Sequence, residues 1–334
     1  MTHDQPARLP VTSISDLLAA VPYLLGFHPA DSLVTIGLTG HRITVAARAD
    51  LPAPATIPDW VPQAVRQHLA LLRNVDATTA ILIGYGPATA VTPVVDAITP
   101  HLHAAGITIF DTLRVTAGRY HSYQCQDPRC CPPDGVPFDP HYSPTTVHAI
   151  VAGQTALPDR AALVASLAHT ASTGMTEASR RAQERALAAQ ISGGRAALIR
   201  AGRQAVGEAF ARYAADAALT DDEVAWLAVL LADIAVRDHA GQATGQATGT
   251  EPWLLALWTD ITRRADPAYA AAPATLLALT AWRHGQGALA AVALDRALAA
   301  DPHYRLAHLV DHALRHGIPP TALDHGPTSG NPAR

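Results

Sequence analysis

Two kinds of sequence pattern meet at Tyr120-His-Ser-Tyr-Gln-Cys125-Gln-Asp-Pro-Arg-Cys130-Cys131-Pro-Pro-Asp134-Gly-Val-Pro-Phe-Asp-Pro140-His141-Tyr-Ser143. All 3 cysteines of the chain lie in this segment. Before it, apolar runs with the period of strands alternate with runs that have the period of helices, and after it only the helical period continues. The segment therefore predicts the end of one domain and the start of another.

The region before this boundary, residues 11–143, predicts an α/β domain. Two β-rich runs, at 32–38 and 42–48, are separated by Thr39-Gly40-His41, which is typical of a hairpin turn. The full order of patterns is helix, strand, strand, helix, strand, helix, strand, strand. This order predicts one mixed sheet with helices packed on it.

The region after the boundary, residues 144–317, predicts an all-α helical domain, because turn residues alone interrupt its helical periodicity. Part of it weakly resembles the second half of a tetratricopeptide repeat. Small residues occur where two paired helices would approach closely, at Gly285, Gly287, Ala290 and Ala297. The dipeptide Asp301-Pro302 would end the second of these helices. A generic antiparallel helix pair explains the same spacing.

The sequence predicts no stable helix or strand in three segments. Residues 240–250 repeat Gly-Gln-Ala-Thr and contain no large apolar side chain, so we expect a flexible insertion in the helical domain. Residues 1–10 and 318–334 are expected to be disordered tails.

Composition excludes several classes of protein. The formal net charge is −4 and the pI about 6.5, which argues against a nucleic-acid or anionic-membrane partner. The sequence contains no lysine, which excludes a P-loop lysine and a Schiff-base lysine. Neither a signal peptide nor an apolar run of about 20 residues is present. We therefore expect a cytoplasmic protein, outside the membrane, with reduced thiols.

The cysteines allow three interpretations. Zinc prefers about four Cys or His ligands, and Cys125, Cys130 and Cys131 supply that number together with His121 or His141. A reversible disulfide from Cys125 to Cys130 or Cys131 is the second interpretation. We favour the third, reduced thiols packed in a proline-braced loop, because the C-x4-C-C spacing is not a standard zinc motif. No cofactor is predicted on this basis, and zinc is the alternative.

A second candidate site consists of polar residues at the ends of predicted strands: Asp31, Ser32, Arg48, Asp50, Tyr85, Arg119 and Tyr120. Arginine, carboxylate and phenol groups in one pocket suit the binding of a small anionic ligand, or acid–base chemistry. The competing interpretation, which we favour, treats Arg48 and Asp50 as exposed loop charges and Asp31 as a turn residue.

The turn Gly84-Tyr-Gly-Pro87 lies between a predicted strand and a predicted helix, where phosphate-binding loops occur. Thr89 replaces the third glycine of the G-x-G-x-x-G pattern, and Pro87 lacks an amide donor. The pattern therefore favours a tight strand-to-helix turn over a nucleotide site.

Four segments occur in an order that resembles a known family. They are Asp16-Leu-Leu-Ala-Ala-Val-Pro-Tyr-Leu-Leu-Gly-Phe-His-Pro-Ala-Asp-Ser-Leu-Val34, Arg48-Ala-Asp-Leu-Pro52, Gly84-Tyr-Gly-Pro87 and Cys130-Cys-Pro-Pro-Asp-Gly135. Together they resemble the actinobacterial domain-of-unknown-function 4192 family over most of the chain. The resemblance implies an actinobacterial, cytoplasmic protein and supplies no activity, cofactor or catalytic residue.

Two functional hypotheses follow. The first is a non-catalytic cytoplasmic binding or scaffold protein, because the sequence has no complete catalytic motif and its helical domain offers a surface for a protein partner. The alternative is an enzyme, or a redox- or metal-responsive protein, that uses the Cys125–Cys131 loop and an adjacent pocket of Arg48, Asp50 and Tyr120. The residues alone leave open whether the chain is an enzyme.

Overall fold

The computed structural model describes residues 11–140, 143–170, 172–246 and 251–323. The chain divides into two compact units. Residues 11–163 and a short return segment, 315–319, form the first unit. The described residues between 164 and 314, with 320–323, form the second. The predicted α/β domain and the helical domain after it are both present.

The first unit is built on one mixed sheet of six strands: β1 (Ser32–Thr39), β2 (Arg42–Asp50), β3 (Thr79–Tyr85), β4 (Thr108–Thr116), β5 (Arg119–Ser122) and β6 (Val136–Pro137). Their order across the sheet is β2-β1-β3-β4-β5-β6. The pair β3–β4 is parallel, and the other neighbouring strands are antiparallel. The sequence does not predict β6, because a strand of two residues has no readable periodicity.

Four helices complete the described part of the first unit. They are α1 (Ile14–Leu25), α2 (Ile57–Asn74), α3 (Ala88–Ala104) and α4 (Pro144–Val151). Leu33 of β1 and Leu82 of β3 share one buried core with Leu72 of α2 and Ile98 of α3. Burial of these side chains supplies the main favourable term in the stability of the unit.

The first unit extends beyond the predicted boundary at residue 143. Helix α4 packs on α1, and Phe27 forms an isolated parallel bridge with Leu157. The return segment also belongs here, because the Asn74 side-chain amide donates to the carbonyl oxygen of His316 at 2.6 Å. Contacts between distant parts of the chain therefore decide which residues complete this unit.

Gly84 lies where β3 and α3 approach each other. A Cβ atom at this position would lie 2.1 Å from Cγ1 and 2.9 Å from Cγ2 of Val91. We expect Gly84→Ala to lower the free energy of unfolding by about 1–3 kcal/mol, the usual cost of overpacking a core. Urea denaturation measures the change. Because Val91→Ala removes the obstructing methyl groups, the double variant should lose less than the sum of the single losses. Strictly additive losses would contradict the packing explanation.

The second unit is helical throughout its described length. Its main helices are α6 (Thr173–Ala214), α7 (Asp221–Leu230), α8 (Ile234–Gln246), α9 (Pro252–Arg264), α10 (Ala271–Arg283), α11 (Gly287–Ala300) and α12 (Arg305–Arg315), and α5 (Arg160–Ser166) spans the division between the units. Gly194 interrupts α6 with φ 62° and ψ −170°. Helices α10 and α11 pack against each other, and the tetratricopeptide-like character of this stretch stays a prediction.

The flexible insertion predicted over 240–250 is wrong for residues 240–246, which form the last part of α8. Ala240 and Thr244 are buried, and the Trp258 indole donates to the Thr244 hydroxyl at 3.3 Å. Packing against α6 and α10, together with the hydrogen bond from α9, therefore overrides the weak helix propensity of glycine and threonine.

The predicted tails fall largely outside the described residues. Residues 1–10 and 324–334 are not described, nor are 247–250 of the predicted insertion. Within the second predicted tail, which begins at 318, Pro320–Leu323 form a 3₁₀ turn. None of the helices in the described part of the chain is long and apolar enough to cross a membrane.

Candidate functional site

The three cysteines lie in a loop that leaves the sheet at the end of β5 and returns at β6. The Sγ atoms of Cys125 and Cys130 are 3.0 Å apart, and those of Cys130 and Cys131 are 3.8 Å apart. All three Sγ atoms lie within 4.8 Å of one another. Cys130 is exposed, the other two are half-buried, and all are free thiols. The loop thus presents one thiol cluster, defined here as Cys125, Cys130 and Cys131.

A tight turn brings the cysteines together. The carbonyl oxygen of Asp127 accepts hydrogen bonds from the amides of Cys130 and Cys131, at 3.2 and 2.8 Å. These bonds return the chain toward Cys125. The Arg129 guanidinium donates to the Asp127 carboxylate at 3.1 and 2.8 Å, which holds the turn from its outer side.

The ends of the loop are fixed to the sheet. Strand β6 pairs with β5, and the Arg119 guanidinium donates to the carbonyl oxygen of Gly135 at 2.6 Å. Gly135 has φ +84°, and a Cβ atom there would lie 2.7 Å from the His121 ring. The loop can close at this point because glycine adopts that conformation and has no side chain.

Of the two histidines predicted as further metal ligands, the structure describes His121. The His121 ring lies against Gly135, and its nitrogen atoms are not among the ligand atoms that cluster with the thiols in the described residues. His141 lies outside the described residues. Within the described part of the chain, the atoms placed closely enough together to bind one metal ion are the three sulfur atoms.

The thiols alter each other's ionisation. Hydrogen bonds from Cys130 and then Cys131 lower the pKa of Cys125, so the first thiolate forms there. The hydrogen bond to Cys125 raises the pKa of Cys130, and it raises that of Cys131 to about 12. The cluster therefore stabilises one thiolate. Ionisation of the second and third thiols is unfavourable unless a cation compensates their negative charge.

Asp111 of β4 supports the cysteine loop, and the sequence alone did not single it out. This carboxylate is 8% exposed, and its Oδ1 accepts from the Ser122 hydroxyl at 2.7 Å and from the Thr112 amide at 2.7 Å. The Ser122 oxygen in turn accepts from the Cys125 amide at 3.0 Å. Asp111 therefore positions the first cysteine of the cluster through Ser122.

The buried position of Asp111 predicts a pH dependence of stability. Burial raises its pKa, although hydrogen bonds from Ser122 and Thr112 act in the opposite direction. A raised folded-state pKa contributes stability that is present below the ordinary value of 3.8 and is lost as the pH rises through the folded-state pKa. Asp111→Asn should remove this loss.

The measurement is urea unfolding of both proteins between about pH 4 and pH 7. The unfolding free energy of Asp111→Asn, minus that of the unsubstituted protein, should increase with pH. A difference that stays constant across this range would contradict the effect.

The strand-end residues predicted to form a pocket lie at one end of the sheet in two groups. In the first, Ser32 pairs with Asp50 on one side and with Tyr85 on the other. Arg48 forms an ion pair with Asp50 at 2.5 Å, and their side chains are 13% and 79% exposed. Asp31 has φ 43° in the turn that precedes β1. Arg48 is therefore largely covered, whereas Asp50 is an exposed charge.

The first group also contains buried polar atoms without hydrogen-bond partners in the described part of the chain. They are the Ser32 hydroxyl, the Tyr85 hydroxyl and Nε of Arg48. Burial raises the pKa of Tyr85, so its phenol stays protonated at neutral pH. All three groups are donors, which suits an acceptor-bearing ligand or water.

Arg119 and Tyr120 form the second group, on β5. Four strand spacings of about 4.8 Å separate β2 from β5, which places Arg48 on the order of 19 Å away. The Tyr120 hydroxyl instead shares a hydrogen bond with Ser15 of α1, and its ring packs edge-on against Phe138 at 6.5 Å between centroids. The structure does not bring Arg48 and Asp50 together with Tyr120.

Comparison with known proteins adds one match. A family model described as Domain of unknown function (DUF4192) matches residues 15–321, which includes both units and the thiol cluster. No curated protein and no solved structure matches the chain.

Proposed function

Because this chain belongs to the DUF4192 family, whose description gives no function, we propose one from its own side chains: it binds a thiophilic divalent metal ion, zinc, through Cys125, Cys130 and Cys131. The observation that carries the proposal is the convergence of three free Sγ atoms within 4.8 Å. This role is a binding function without catalysis. It combines the binding protein of the first hypothesis with the metal-responsive protein of the alternative.

The distances between the sulfur atoms support a tetrahedral zinc site. Zinc–thiolate bonds of about 2.3 Å place two sulfurs of a tetrahedron about 3.8 Å apart. The Cys130–Cys131 pair has this separation, 3.8 Å, and the Cys125–Cys130 pair is shorter, at 3.0 Å. Opening the shorter pair by about 0.8 Å gives both pairs the tetrahedral edge length.

The chemistry of the ligands also supports zinc. Soft thiolates select zinc over magnesium and calcium, which prefer oxygen ligands. A divalent cation compensates the charge that opposes ionisation of Cys130 and Cys131, so metal binding is expected to release protons. The reducing cytoplasm, which we propose as the location of the protein, keeps the thiols available for a metal ion.

The surroundings of the cluster hold its ligands in place. Ser122 accepts from the Cys125 amide, and Asp127 accepts from the amides of Cys130 and Cys131. Outer partners of this kind typically change metal affinity by about 10–100-fold. The exposed Cys130 gives an ion from solvent direct access to the site.

Metal titration of the reduced full-length protein tests the proposal. We expect one zinc ion per chain, and we expect bound zinc to protect the three thiols from a thiol-reactive disulfide reagent. A chelator should remove the ion and restore the reactivity of all three. Zinc that binds without a defined stoichiometry, or that leaves every thiol as reactive as before, would overturn the proposal.

A further inference from the structure

The thiol cluster also has the geometry of a redox switch. We propose, on the basis of the metal-binding function above, that a hydroperoxide joins Cys125 and Cys130 in a disulfide and thereby releases the metal ion. The metal-bound form and the disulfide form exclude each other, because both use the same two sulfur atoms. The fraction of the protein that holds a metal ion would then depend on peroxide as well as on the supply of metal.

The pair that forms the disulfide follows from the distances. The Sγ atoms of Cys125 and Cys130 are 3.0 Å apart, and a disulfide bond of about 2.05 Å requires them to approach by about 1 Å. Cys130 and Cys131 are less suited to pair, since consecutive Cα atoms lie about 3.8 Å apart and disulfides usually span about 4.4–6.8 Å. Cys125 is therefore the sulfur that any disulfide within the cluster contains.

The loop allows this approach without loss of the surrounding structure. The turn at Asp127 holds Cys130 opposite Cys125, and the ends of the loop are fixed separately by β6 pairing and by Arg119. Cys130 is exposed, so a small peroxide reaches the cluster from solvent. Movement within residues 125–131 is enough to close the bond.

The oxidation takes place in two balanced steps. The Cys125 thiolate attacks one oxygen of the hydroperoxide, so that an S–O bond forms, the O–O bond breaks, and the leaving oxygen takes up a proton. The product is a sulfenic acid. The Cys130 sulfur then attacks the Cys125 sulfur, an S–S bond forms, the S–O bond breaks, and the hydroxide takes the Cys130 proton and leaves as water. Two thiols are oxidised, and the peroxide is reduced to water and an alcohol.

Metal release follows because the disulfide has no thiolate to offer. Of the three ligands, Cys131 alone remains, and a single thiolate holds zinc far more weakly than three. The coupling is reciprocal, so bound zinc should make the disulfide less favourable. Because the ion would also occupy the two thiolates that react, it should slow the formation of the disulfide. Reduction by a small thiol restores all three ligands.

The experiment uses the full-length protein loaded with zinc and, in parallel, the metal-free protein. Each is treated with hydrogen peroxide under anaerobic conditions. A chromogenic chelator reports zinc release, and peptide mapping without reduction identifies the disulfide. We expect one zinc ion released for each Cys125–Cys130 disulfide, slower oxidation of the zinc-loaded protein, and recovery of zinc binding after reduction.

The outcomes separate this inference from the proposed function. If no zinc binds in the loading step, the proposed function fails, and the coupling proposed here fails with it. If zinc binds and stays bound after the thiols are oxidised, the redox switch alone fails. A product that is a sulfinic acid, a disulfide between two chains, or a Cys125–Cys131 disulfide also overturns the assigned pair.

Two variants of the metal-free protein check the pair directly. Cys131→Ser should still form an internal disulfide, with the loss of two hydrogen masses. Cys130→Ser should form it more slowly or not at all. Equal rates in the two variants would contradict the assignment of Cys130 as the partner of Cys125.

Discussion

Cys125→Ser should weaken zinc binding by more than 100-fold. The substitution removes one of three proposed thiolate ligands, and loss of an outer partner alone typically costs about 10–100-fold in metal affinity. The amide of Cys125 also donates to Ser122 at 3.0 Å, so a neighbouring side chain holds this ligand in place. A chelator competition assay measures the affinity of the variant and of the unsubstituted protein.

Two further variants show whether the loss of zinc affinity depends on a ligand, on a residue that holds a ligand, or on neither. Ser122→Ala keeps all three thiols and removes the partner of the Cys125 amide, so we expect a loss of about 10–100-fold. His121→Asn, on the residue next to Ser122, should leave zinc affinity nearly unchanged, because the His121 ring lies against Gly135 and not among the sulfur atoms. If His121→Asn weakened zinc binding as much as Cys125→Ser, the assigned set of ligands would be wrong.

Trp258→Ala should lower the free energy of unfolding by about 3–5 kcal/mol, the usual cost of truncating a buried tryptophan. The Trp258 side chain is 0% exposed in the helical unit, and it packs edge-on against Phe210 with 6.1 Å between ring centroids. Its indole N–H donates to Thr244 at 3.3 Å. The substitution therefore opens a cavity and leaves a buried hydroxyl without its donor.

Trp253 on the same helix provides a control. It is half-buried, and its ring also packs edge-on against Phe210, at 5.3 Å between centroids. Trp253→Ala should cost less than Trp258→Ala, because less apolar area leaves the core. Urea unfolding followed by circular dichroism compares the two variants. Equal losses would show that burial does not set the size of the effect.

The order of elements in the sheet unit was readable from the sequence because each strand and helix carries its own local pattern. The turn at Gly40 has φ 59° and joins two antiparallel strands, as Thr39-Gly40-His41 predicts. The order of strands across the sheet depends instead on contacts between distant residues. For this reason the sequence could not show that β2 and β5, with Arg48 and Tyr120, stand four strand spacings apart.

The helical end of α8 was missed for a similar reason. Gly-Gln-Ala-Thr repeats predict a flexible segment when only local propensity is considered. In the folded unit, Ala240 and Thr244 are covered, and Thr244 is the hydrogen-bond partner of Trp258. The stabilising contacts come from α6, α9 and α10, and the residues of the repeat do not encode them.

The thiol cluster was predictable because its members are close in sequence, whereas the residue that positions it was not. Asp111 lies in a strand pattern, where the sequence shows only one carboxylate among apolar and β-branched residues. The register between β3 and β4 shifts at this point. Ile109 and Asp111 pair with successive residues of β3, and Phe110 between them is the extra residue of a bulge. A carboxylate inside a β-rich run was the available signal, and the bulge that places it is a tertiary feature.

The return segment, residues 315–319, sets an order for biosynthesis. The ribosome delivers it roughly 150 residues after residue 163, where the first stretch of the sheet unit ends. At translation rates of about 5–20 residues per second, this delay is on the order of 10–30 s. During that interval the nascent chain carries Asn74 without the His316 carbonyl that it binds in the finished protein. The sheet unit is thus begun first but finished only after most of the helical unit has been translated.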